Sequence, residues 1–84
     1  MNMRTSHTLI LKYFHDPRYM FPDVGVCYVD RGAPDDVSCV KGGNILRLDS
    51  YFFEVESEYG VKAIPYHRIC RITYRDEILW SRNS

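Results

Sequence analysis

Apolar positions along this chain follow a helical period first and a strand period afterwards, with the change near residue 20. Between residues 5 and 14, Leu9, Ile10, Tyr13 and Phe14 recur at the spacing of one helix face, with Thr5 or Ser6 available as N-cap and Asp16-Pro17 closing the run. The pattern predicts one short amphipathic helix. Residues 18–23 contain Pro22 and show no period, so they read as a connection. Val24-Gly-Val-Cys-Tyr-Val29 is apolar at both parities, as expected of a strand covered on each face and therefore central in its sheet.

From Arg31 to Gly43 the composition turns to Gly, Pro, Asp and Ser, which predicts a long loop of functional length. Residues 44–48 and 51–57 read as strands around a tight turn at Asp49-Ser50. Glu58-Tyr59-Gly60 turns into a strand over Val61–Ile64, and a strand from Ile69 to Tyr74 meets Ile78–Trp80 across Arg75-Asp76-Glu77. The expected architecture is a single α+β domain over residues 1–84. It is an N-terminal helix followed by an antiparallel β-sheet, or a small partly open barrel, of five to six strands.

One segment breaks the alternation. Counting by twos from Ile64 puts Tyr66 and Arg68 on one face and leaves Ile69 on the face of His67, yet Ile69 and Ile72 both read as core. A bulge or corner over Pro65 to Arg68 resolves the conflict, and Pro65 lacks a ladder donor there. A corner would send His67 and Arg68 outward together.

Composition narrows the function classes. Apolar residues make up 45% and charged residues 26%, a globular mixture, and the 12 aromatics (7 Tyr, 4 Phe, 1 Trp) suit strands and a contact surface. Eleven basic against eleven acidic residues leave no net charge, which argues against a non-specific duplex binder. Eight of the eleven cations are nevertheless Arg, whose planar fork suits carboxylate or phosphate. Five of them (Arg47, Arg68, Arg71, Arg75 and Arg82) lie in the second half, while acidic residues gather at 30–36 and 54–58.

Cys27, Cys39 and Cys70 are odd in number, widely spaced and not preceded by a signal peptide, so a reducing, cytoplasmic compartment is expected, with Cys27 and Cys70 as buried small hydrophobes. No apolar stretch approaches the roughly 20 residues of a membrane-spanning helix, so no membrane partner is expected. The three His and three Cys show no ligand spacing on one element, so neither a metal nor another cofactor is expected.

Tyr28-Val-Asp-Arg-Gly-Ala-Pro34, Tyr51-Phe-Phe53, Ile64-Pro-Tyr-His-Arg-Ile69 and Ile78-Leu-Trp80 together resemble the small, largely archaeal family named for RNA cyclic group end recognition. The likeness spans nearly the whole chain, including the Asp16-Pro17 helix end. It departs at His15, where the family commonly has Trp, and at Arg75-Asp76, where a Gly is common. Asp76 tolerates positive φ, so that turn can survive. The resemblance implies an RNA-binding module that recognises a terminal, 2′,3′-cyclic phosphate, in the company of RNA-processing enzymes. It carries Asp30, Arg31, His67 and Arg68 over as candidates.

Each candidate has a plain alternative. Arg31 and the Gly32 amide can hold a phosphate, or Asp30 can close the turn by pairing with a neighbouring Arg. His67 and Arg68 suit a terminal phosphate, or His67 sits on the rim with a backbone carbonyl. Arg71 either joins them or solvates the sheet. Tyr66, Tyr51 and Phe52 can stack on a base, although most aromatics in so small a sheet belong to the core, and Trp80 reads as a core plug. No catalytic residue is assigned. A phosphodiesterase or ribonuclease using His67 lacks a second proton-transfer group, and a protein-interaction domain with an aromatic strand surface is the third reading.

Overall fold

The computed structural model describes residues 3–82. Helix α1 (Met3–His15) starts before both expected caps, so Ser6 lies inside it. The side chain of Thr5 lies outside the described residues. Ser6, Ile10 and Tyr13 form the buried stripe, and Phe14 turns outward to meet Phe21 edge to face at 5.0 Å. Beyond the helix, Asp16 accepts from the backbone N–H and the guanidinium of Arg18. Those bonds hold its carboxyl down at about 2.

Seven strands follow: β1 (Val24–Val29), β2 (Val37–Lys41), β3 (Ile45–Leu48), β4 (Phe52–Ser57), β5 (Gly60–Pro65), β6 (Ile69–Tyr74) and β7 (Glu77–Ser81). They make two antiparallel sheets, ordered β2-β1-β6-β7 and β3-β4-β5, which do not close into a barrel. Strand β1 is interior to its sheet, as its apolar run requires. Strand β2 runs through the segment expected to be a loop. Its short Val37-Ser-Cys-Val40 alternation is flanked by turn residues and becomes a strand only by pairing with β1.

That pairing sets Cys27 opposite Cys39, with Cα atoms 4.0 Å apart, and a disulfide joins them. A separation of twelve positions hides the bridge in the sequence, and the reading of Cys27 as a plain small hydrophobe gives way to a bridged cysteine. Cys70 remains a thiol, donating weakly to the Cys27 carbonyl at 3.5 Å.

The core lies between the sheets and α1. Ile10, Val24, Val26, Phe53, Val55, Tyr66, Ile69 and Ile72 are sealed from solvent, and Trp80 packs half-buried against them. Phe53 sits at the centre, with Tyr28 edge to face at 6.4 Å and Tyr66 tilted at 5.7 Å. The β6–β7 turn keeps its shape without glycine, since Arg75 and Asp76 both adopt left-handed backbone (φ 49° and 71°).

Where two 3-10 turns meet, Phe21–Asp23 against Gly42–Asn44, a Cβ on Gly42 would lie 2.0 Å from the Phe21 carbonyl oxygen. Backbone has to move to admit it. Gly42→Ala should therefore destabilise the fold by about 1–3 kcal/mol, seen as a lowered melting temperature. An unchanged melting temperature would mean that the two turns separate freely.

Candidate functional site

The chain changes sheets between β5 and β6. Pro65 pairs with Phe52 in the second sheet, Ile69 pairs with Tyr28 in the first, and a 3-10 turn over Tyr66–Arg68 joins them. The geometry separates the three turn residues by function. Tyr66 is drawn into the core at 1% exposure, stacked 4.0 Å from His7, its hydroxyl donating to the Asp49 carbonyl at 2.6 Å. His67 and Arg68 are left outside. Tyr66 is thus a core residue and a support for the corner, which corrects its assignment to RNA contact. Burial, reinforced by the charge of Asp49, pushes its phenol up to about 12.

At the same end of β1, a four-residue turn runs from Asp30 to Ala33, closed by Ala33 N–H to the Asp30 carbonyl at 3.1 Å. Gly32 occupies its third position at φ +96°, which glycine alone adopts without strain. The Gly32 N–H donates to Asp36 Oδ1 at 3.2 Å. The amide expected to meet an anion is therefore engaged within the turn, which leaves Gly32 a conformational role. Arg31, one residue earlier, is exposed.

These two bends close on one concavity. Val29, Arg31, His67, Arg68 and Arg82 line a notch of about 290 Å³ at the end of the first sheet. Neither Arg31 nor Arg68 forms an ion pair among the described residues. Arg82 donates through its guanidinium to the His67 carbonyl at 2.6 Å and through its backbone N–H to the Cys70 carbonyl at 2.9 Å, pinning the corner from β7. Among the described residues, no carboxylate lines the notch. In a chain of zero net charge, three guanidinium groups thus line one notch with no acidic side chain of the described residues lining it, which makes the site suited to an anion with several oxygens.

Arg82 was not among the sequence candidates, although a register count reaches it. Counting outward from the Tyr74↔Glu77 pair brings position 82 opposite Ile69, and a bulge between Ile72 and Thr73 shifts it by one. Other candidates fall elsewhere. Arg71 is exposed on β6 with a guanidinium N 3.7 Å from Cys27 Sγ, away from the notch. Tyr51 is exposed and Phe52 half-buried, and neither lines it.

Asp30 does not pair with Arg31. Its Oδ2 accepts from Ser38 Oγ at 2.7 Å and faces Lys62 Nζ at 3.6 Å. The Ser38 bond, then Lys62 and Arg68, hold its carboxyl below the usual carboxylate range. It lines a second cavity of about 690 Å³ together with Tyr28, Ser38, Glu58, Tyr59 and Lys62. Among the described residues, no group of three or more His, Cys, Asp or Glu is arranged to hold a metal ion, and no helix is long and apolar enough to cross a membrane.

Comparison with known proteins agrees with the residue pattern. The chain is 35% identical over 71 residues to a UPF0248 protein of Archaeoglobus fulgidus, an alignment covering 84% of this chain and 96% of that one. No solved structure matches significantly. The family model described as MJ1316 RNA cyclic group end recognition domain matches residues 3–82, taking in the helix, both sheets and both bends, and the chain belongs to that family.

Proposed function

We propose that this protein binds the phosphate-bearing end of an RNA strand, taking a terminal or 2′,3′-cyclic phosphate into the notch as part of RNA processing or repair. The observation that carries this reading is the convergence of Arg31, Arg68 and Arg82 with His67 on one small cavity that no carboxylate of the described residues lines. The family description names RNA cyclic ends and points to the same ligand class. Arg31 and Arg68 hold phosphate oxygens, His67 donates a hydrogen bond, and Arg82 adds charge while keeping the corner in place.

Preference for a phosphate over a plain hydroxyl follows from the same geometry. A hydroxyl end leaves the guanidinium donors without their anionic partner, and a site built for polar groups discriminates strongly against a ligand that lacks them. Binding without turnover is the favoured reading because, among the described residues, His67 is the one ordinary proton-transfer side chain lining the notch, whereas acid–base cleavage calls for a second.

The test is titration of one oligoribonucleotide bearing a cyclic phosphate, an open phosphate or a hydroxyl end at fixed salt. At least tenfold tighter binding of both phosphate ends is expected. A cyclic ester carries one charge and an open phosphate nearly two. Equal affinity for the two would mean that shape outweighs charge. Equal affinity for all three would reject end recognition.

A further inference from the structure

We propose that the larger cavity beside the notch is a nucleoside subsite, which takes the base attached to the captured phosphate. This deepens the end-recognition reading and rests on it. The two cavities flank the end of β1, their lining residues alternating along Tyr28–Arg31. Strand alternation at the end of β1 sends Val29 and Arg31 into the notch, and Tyr28 and Asp30 into the larger cavity. Arg68, which lines the notch, acts electrostatically on Asp30 in its neighbour. A ligand with its phosphate on Arg31 and Arg68 reaches Asp30 by passing round the end of β1.

Size and charge assign the parts. The notch, about 290 Å³, is near the floor of the roughly 300–1,000 Å³ range of ligand pockets and suits a phosphate, whereas about 690 Å³ holds a nucleoside. Among the described residues, the charged groups that line the notch are the guanidinium groups of Arg31, Arg68 and Arg82. The larger cavity carries Asp30 and Glu58 against one Lys62, so it disfavours phosphate and favours a neutral group with donors. Ser38 and Lys62 fix Asp30 Oδ2, while Oδ1 accepts no bond among the described residues. In a cyclic end the 2′ and 3′ oxygens of the terminal sugar are both esterified, so the donor that meets Oδ1 is a base N–H. Tyr59, 96% exposed at the tip of the β4–β5 hairpin, supplies a face for the base. Ser57 steadies that tip, donating to the Gly60 carbonyl at 2.8 Å and accepting from the Tyr59 N–H at 3.3 Å.

The experiment compares wild type with Tyr59→Ala, an exposed position whose replacement removes no core contact. The ligands are oligoribonucleotides with a 2′,3′-cyclic phosphate and a terminal nucleotide either complete or lacking its base. Tyr59→Ala should weaken binding of the complete ligand about 5- to 150-fold. Removing the base should weaken wild-type binding similarly, and the two changes together should do little more than either alone. Preference for phosphate over hydroxyl ends should persist in the variant. If that preference holds while neither change matters, or if Tyr59→Ala weakens complete and base-free ligands equally, the subsite is overturned and end recognition stands. Absence of any phosphate preference in wild type would overturn both.

Discussion

Replacing Tyr66 by alanine is expected to destabilise the fold by about 3–5 kcal/mol, a large share of what a domain of this size has. The ring is almost fully buried against Phe53 and His7, its hydroxyl bonds the Asp49 carbonyl, and its own carbonyl accepts from Ser6 Oγ at 3.4 Å. Removing it opens a void where α1 and both sheets meet. Tyr66→Phe keeps the ring and should lose only about 1 kcal/mol. The phenol adds a pH dependence whose sign follows from its raised pKa, from 10.0 in the unfolded chain to about 12 in the folded one. The folded state holds this proton more tightly, so the contribution is complete below pH 10, declines as pH climbs from 10 to 12 and is gone above that. Its size is about 3 kcal/mol. Denaturant titrations of wild type and Tyr66→Phe between pH 8 and 12 measure it by difference. Parallel curves would show that the phenol ionises in the folded state as easily as in water.

Arg68→Ala should weaken binding of phosphate-ended RNA about 10- to 100-fold and leave hydroxyl-ended RNA nearly unchanged, because a hydrogen bond to a charged group contributes about 1.5–3 kcal/mol. Arg31→Ala should behave alike. Both side chains are exposed and without ion pairs among the described residues, so stability should change by no more than about 0.5 kcal/mol. Salt dependence gives a second readout, since each lost phosphate contact on a single strand lowers the slope of log affinity against log salt by roughly 0.7. Lysine at either position should restore the slope more fully than the affinity, since it returns the charge without the fork. Arg82 differs, because its guanidinium holds the His67 carbonyl and its loss loosens the corner as well as the notch. An equal fall for phosphate and hydroxyl ends in Arg68→Ala would place that residue on the body of the strand, not its end.

The two bends were legible for reasons that differ. The corner at Pro65 to Arg68 was legible because strict alternation from Ile64 fails there and Pro65 lacks a ladder donor, and the chain does change sheets at that step; the clash of parity between Ile69 and Ile72 is taken up separately, by a bulge in β6 opposite Cys27-Tyr28. The Asp30–Ala33 turn was marked by Gly32, which adopts positive φ there, although its amide bonds Asp36 and is not presented to a ligand. Tyr66 was misassigned because a tyrosine beside two exposed polar residues looks the same in sequence whether its ring points in or out. Asp30 was expected beside Arg31, but adjacent residues in extended chain face opposite ways, which puts its carboxylate on Ser38 and Lys62.

From residue order alone came the helix followed by antiparallel strands, the central place of β1, the bend before β6 and an arginine-rich chemistry suited to phosphate. These follow from local periods and side-chain types, which a linear string carries in full. The β2 strand, the Cys27–Cys39 bridge, the separation into two sheets and the arrival of Arg82 beside His67 depended on tertiary structure. Each is a matter of which strand lies next to which, and in what register. That is set by burying a shared core around Phe53 and Tyr66, which no single segment specifies.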